Sequence, residues 1–152
     1  HVDKTYYAVL DGPVGESEVD IFAAGLEIGD DDLDVAMPAR LEILPGPLEF
    51  VSTYYNELIH NTVFHDKTSE GSPYNTEAHG NGSGKASPYN HGSLSFVLVT
   101  IKEGKYHQVK RMFQKVGRRV VYLKRISMGS LTLPDDLEPG KYIPVDISTL
   151  TI

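Results

Sequence analysis

Cysteine is absent from the 152 residues, so no disulfide stabilises the fold and no thiolate is available to a metal site. The six histidines do not fill that gap, because His60, His65, His79 and His91 fall in an irregular region without compact ligand spacing. No apolar run is long enough for a membrane-spanning helix, and the opening residues carry no secretory pattern. Positive charge is also scarce, with 14 Lys and Arg against 21 Asp and Glu and a formal net charge of −7. On average the chain is acidic, which by itself argues against a polyanionic partner.

The average hides a concentration of basic residues. Lys102, Lys105, Lys110, Arg111, Lys115, Arg118, Arg119, Lys124 and Arg125 lie within residues 101–125, where Glu103 is the only acid. Association with RNA or DNA depends on the local field and on how many phosphates can be approached together, so this segment is compatible with a nucleic-acid contact. On charge alone the commoner case is a charged helix whose lysines are solvated, so the spacing has to decide.

Periodicity places those charges. Val97, Val99 and Ile101 alternate with Leu98, Thr100 and Lys102, which predicts a strand ending in a turn at Glu103-Gly104. His107 then opens a helical pattern in which Val109, Met112, Phe113 and Val116 form an apolar stripe suited to a sheet. Lys110, Arg111, Gln114 and Lys115 fall on or beside the opposite face, and Gly117 is placed to stop the helix. A second β-rich run follows at Val120 to Leu123.

The run Glu103-Gly104-Lys105-Tyr106-His107-Gln108-Val109-Lys110-Arg111-Met112, followed by Val116-Gly117 and by Leu123 to Gly129, resembles the catalytic-domain motif of the small-subunit ribosomal RNA pseudouridine synthases. Lys4-Thr5-Tyr6 resembles that family's Lys-x-Tyr segment, and Leu131-Thr132-Leu133 and Pro139 to Tyr142 resemble its closing elements. Gly25 to Ile28 and Pro38 to Leu41 suit the part between, so the likeness covers about residues 1–54 and 93–146. It implies an α+β fold with a mixed, mainly antiparallel sheet and packed helices, here a partial catalytic domain over residues 1–152 with an irregular insertion at 56–93. The implied reaction is isomerisation of a uridine within ribosomal RNA to pseudouridine, without an organic cofactor or required metal. The implied setting is a cytoplasmic monomer that meets RNA and no membrane.

That family uses an aspartate in a Gly-Arg-Leu-Asp segment upstream of the Lys-x-Tyr strand, and no Arg-Leu-Asp occurs in this chain. Asp3 and Asp11 flank Tyr6 on the wrong element to replace it. The resemblance therefore implies that the nucleophile lies in an upstream part of a longer protein and that the 152 residues alone are inactive. Lys110 matches the family's basic partner of the aspartate, where an adjacent cation would hold a carboxylate ionised. Tyr6 matches the aromatic residue and Leu131 the apolar wall, which together would replace the stacking lost by a flipped base. Tyr6 and Leu131 also suit an ordinary sheet core. Lys105, Arg111, Lys124 and Arg125 are read as phosphate contacts, with His107 and Gln108 in the same RNA-facing set. His107 orients the turn rather than acting as a base, and Gln108, partly inward, bonds to backbone or substrate.

Further strands are expected at Tyr6 to Leu10, Ala39 to Ile43 and Phe50 to Tyr54. A helix is expected over Glu16 to Leu26, burying Val19, Phe22, Ala23 and Leu26, and Asp30-Asp31-Asp32-Asp34 reads as a solvated loop. Residues 56–93 contain Ser72-Pro73-Tyr74-Asn75 and Ser87-Pro88-Tyr89-Asn90 among glycines, a tolerated surface insertion or a loop whose Tyr74 and Tyr89 stack on bases. Two other functions fit the basic helix: a non-catalytic RNA-binding module, and a protein-interaction domain for an acidic partner.

Overall fold

The computed structural model describes residues 1–29, 34–49, 56–57 and 94–149. The strand expected at Phe50 to Tyr54, the duplicated Ser-Pro-Tyr-Asn segments and the four histidines of the irregular region lie outside the described residues. Among those described, no group of three or more His, Cys, Asp and Glu side chains could hold a metal, and no helix is long and apolar enough to cross a membrane.

Five strands form one sheet in the order β4-β5-β1-β6-β7. They are β1 (Lys4–Asp11), β4 (Arg40–Leu44), β5 (Leu94–Ile101), β6 (Arg119–Met128) and β7 (Leu131–Thr132). A two-stranded ribbon, β2 (Leu26–Glu27) with β3 (Val35–Ala36), stands apart. Every pairing among the described strands is antiparallel, which narrows the mixed sheet expected from the sequence. β1 is central, with Tyr6 opposite Val99 on one side and Arg125 on the other. Cover on both faces of the sheet explains why Tyr7, Ala8, Val9 and Leu10 are all fully buried although they alternate in direction.

One face of the sheet carries both helices. Ala8, Leu10, Leu41, Val97, Val99 and Ile101 meet Phe22 of α1 (Glu16–Ala24) and Val109, Met112 and Phe113 of α2 (Gln108–Lys115). The rings of Phe22 and Phe113 pack at 4.9 Å between centroids and join the helices above the sheet. The other face gathers Tyr7 and Val9 with Leu44, Leu94, Phe96, Leu98 and Tyr122. There Leu48 donates its N–H to the Tyr7 hydroxyl at 3.3 Å, and burial raises the Tyr7 pKa.

The first helix ends earlier than its periodicity suggests. Gly25 adopts φ 83°, the chain leaves the helix, and Leu26 enters β2 instead of a further turn. Ala23, still within α1, is exposed rather than part of the buried stripe. At the start of α1, Glu18 reaches back to accept the Gly15 N–H at 2.9 Å, which satisfies a donor that the helix leaves open. α2 behaves as its sequence predicts. Gly117, at φ 72°, donates to the Gln114 carbonyl while Arg118 donates to Phe113, a paired closure that requires the left-handed residue.

Candidate nucleic-acid interface at one end of the sheet

Strand register brings most of the residues singled out by sequence to one end of the molecule. Ile101, the last residue of β5, pairs with Lys4, the first of β1, and Lys4 also pairs with Met128 at the end of β6. Leu131 of β7 pairs with Met128. Tyr6 lies two residues along β1 from Lys4, hence on the same face, and packs half-buried against the helix-side core. The turn at 102–107 that leads into α2 leaves from this same end. Lys110 is exposed on the first turn of α2, opposite the buried Val109, Met112 and Phe113.

The turn is built around Gln108, which is only 3% exposed. Its Oε1 accepts the Lys105 N–H at 3.0 Å, and its Nε2 donates to Glu103 Oε1 at 2.9 Å. The same Glu103 oxygen accepts the Met37 N–H at 2.7 Å. Gln108 is thus inward and bonded to backbone, as its place beside the apolar stripe suggested. His107 takes φ 47° and ψ 32° at the head of the helix. A left-handed conformation at a non-glycine residue costs on the order of 1 kcal/mol and persists where surrounding contacts enforce it. Here the enforcing contacts are Gln108 to Lys105 and Arg111 Nη1 to the Tyr106 carbonyl at 3.3 Å.

The cations of this turn and of α2 reach partners that lie far away in the sequence. Lys105 Nζ donates to Asp34 Oδ1 at 2.8 Å and to the Val35 carbonyl at 2.6 Å. Arg111 donates to the other Asp34 oxygen and, through Nε, to the Ile28 carbonyl at 3.1 Å. Lys115 donates to the Gly29 carbonyl at 2.6 Å. Bonds from Lys105 and then Arg111 hold the Asp34 carboxyl below its ordinary pKa. Asp34 is therefore a clamped anion, which corrects its reading as part of a solvated loop. Its clamp fastens the short β2–β3 ribbon to α2.

Two more cations are matched by distant acids: Arg118 approaches Glu18 at 3.8 Å and Arg119 approaches Asp11 at 3.4 Å. Such half-exposed pairs contribute little stability singly, but they reduce the outward positive field. Arg125 is exposed across from Tyr6. Lys124 is not a surface cation, contrary to the sequence reading: it is 8% exposed and lies across from Tyr7, on the sheet face away from α2. Burial lowers its pKa, and Asp135 opposes that shift. The sequence reading gave no role in the site to Asp34 or Tyr106. Asp34 gave no local signal, whereas Tyr106, an aromatic between Lys105 and His107, could have been noticed.

No protein-family model matches the chain. It is 30% identical over 145 residues to a protein named ribosomal small subunit pseudouridine synthase A from Salmonella typhimurium, an alignment covering 95% of this chain and 42% of the relative. The protein of the same name from Escherichia coli K12 matches with the same identity and coverage. Over a shorter stretch of 49 residues, 32% of this chain, identity to the Yersinia pestis protein of that name rises to 59%. The chain thus spans about two-fifths of the length of these two curated relatives. A solved structure titled as a pseudouridylate synthase superposes with a TM-score of 0.60 at 29% identity, covering 97% of this chain and 43% of that one. The α+β arrangement of an antiparallel sheet with packed helices is that of this solved fold.

Proposed function

The chain is homologous to the ribosomal small-subunit pseudouridine synthase A family, and on that premise we propose that it is part of an enzyme converting a uridine within ribosomal RNA to pseudouridine. The observation that carries the proposal is the 103–112 run, held on a turn and helix at the same end of the sheet as Tyr6 and Leu131. In this reading Lys110 is the cation that keeps a catalytic aspartate ionised beside the RNA base. Tyr6 lies against the flipped base and Leu131 forms the apolar wall. Arg125, with Lys105 and Arg111 as far as their bonds to Asp34 allow, meets phosphate, and His107 and Gln108 shape the turn that presents them. The enzyme acts in the cytoplasm on small-subunit RNA, and residues 56–93 are an insertion within its catalytic domain.

The aspartate is supplied from outside these 152 residues, which contain no Arg-Leu-Asp. The same gap favours a second reading, a catalytically silent module that keeps the RNA-facing surface. Release of tritium from uracil C5 of labelled ribosomal RNA separates the two. The expected result is turnover by a longer protein that includes this chain and an upstream Gly-Arg-Leu-Asp segment, and none by the 152 residues alone, because catalytic groups act as a unit. In that longer protein Lys110→Met should reduce single-turnover chemistry at saturating RNA severely while weakening RNA affinity only modestly. Unchanged chemistry in Lys110→Met would remove Lys110 from the reacting centre.

A further inference from the structure

We infer that Tyr106 and His107 form a preformed platform on which an unstacked nucleobase of the RNA is held, outside the set of residues that surround the reacting uridine. This inference rests on the RNA-modifying reading above. Tyr106 is 78% exposed, an unusual position for so large a ring, and it lies on the His107 ring with centroids 4.0 Å apart and planes inclined by 19°. One face of the phenol is thus covered by imidazole, while the exposure leaves the other to solvent. The pair is a two-ring stack that a third planar ring would extend.

The platform does not depend on the ligand to take shape. The left-handed His107 backbone turns its ring under Tyr106, and the chain on either side is fixed by Arg111 Nη1 on the Tyr106 carbonyl and by Gln108 on the Lys105 N–H. A rigid aromatic surface loses little conformational freedom on binding, so more of the stacking energy appears as affinity. Every base offers a π-face of suitable size, and stacking on a protein aromatic tolerates any sequence. The exposed Lys102 lies four residues before Tyr106, on the turn that carries the platform. Its charge attracts the phosphates that flank a base in an RNA strand, which favours a nucleotide over an isolated apolar ring.

Fluorescence anisotropy on the 152-residue chain tests this with two labelled strands of equal length, oligouridylate and an abasic ribose-phosphate strand. Tyr106→Ala should weaken oligouridylate binding about tenfold, within the range of one lost base stack, and leave the abasic strand unchanged. Tyr106→Phe should bind like the parent chain, since it keeps the ring, and circular dichroism should match for all three. Unaltered oligouridylate affinity in Tyr106→Ala would overturn the platform while leaving the RNA reading intact. Equal losses on both strands would overturn it too, by assigning Tyr106 to the shape of the turn. Failure of Tyr106→Phe would shift the role to the hydroxyl and reject stacking. Should the parent chain bind neither strand, the RNA-facing surface falls first and the platform with it.

Discussion

Asp34 shows how one side chain can govern a surface that looks wholly basic in sequence. Its carboxylate occupies Lys105 and Arg111, and bonds from both keep it ionised below the ordinary carboxylate range. A depressed pKa in the folded state contributes stability above the unfolded value, and this contribution disappears as pH falls through the folded one. The parent chain should therefore lose part of its stability on acidification below the usual carboxylate pKa, and Asp34→Asn should lack that part of the profile in urea titrations run over a pH series. The same variant should steepen the salt dependence of RNA binding, because two cations are released to meet phosphate. None of this was visible along the chain. The basic residues were legible as a cluster, but their partners Asp34, Glu18 and Asp11 lie about seventy to over a hundred positions away, and local pattern cannot choose among twenty acids. The face occupied by Lys124 was hidden for another reason: the β1–β6 register shifts between Thr5 and Tyr6 and between Val9 and Leu10, so simple alternation miscounts.

The elements were more readable than their ends. α2, β1, β5 and the existence of β6 follow from apolar periodicity, and Gly117 closes α2 where the sequence places it. The end of α1 was missed because Leu26 continues the helical pattern, while Gly25 departs from it through backbone conformation that periodicity does not register. These two glycines give contrasting predictions. A Cβ at Gly25 would stand 2.8 Å from the Ala36 carbonyl oxygen, in addition to its unfavourable φ of 83°, whereas a Cβ at Gly117 meets nothing within 4 Å. Gly25→Ala should thus destabilise by clearly more than Gly117→Ala, whose cost is the left-handed strain alone, about 1 kcal/mol. Thermal midpoints measured side by side decide the order. Phe113→Ala removes the ring that links α2 to α1 and to the sheet, and chemical denaturation should show a loss of about 3–5 kcal/mol.

At the scale of the whole molecule, charge is dispersed more evenly than the sequence implies, because acids of the first forty residues fold back onto the basic segment. Lys102 and Arg125 remain exposed, and the proposed RNA-facing reading assigns them to phosphate. Replacing both by alanine should lower the slope of log affinity against log salt by about 1.4 on single-stranded RNA, at roughly 0.7 per contact. Lys124→Met should leave that slope unchanged, since its ammonium is buried behind the sheet. The strand order also sets the timetable of folding. β1 occupies the middle of the sheet, yet its neighbours β5 and β6 begin at Leu94 and Arg119, so the contact between Thr5 and Thr100 closes 95 residues of chain. On the ribosome β1 is made before both of its neighbours and has neither pairing partner until β5 and β6 follow. Its run of four core residues, Tyr7 to Leu10, must wait unpaired in the nascent polypeptide until those strands arrive, with apolar surface exposed to aggregation in the interval.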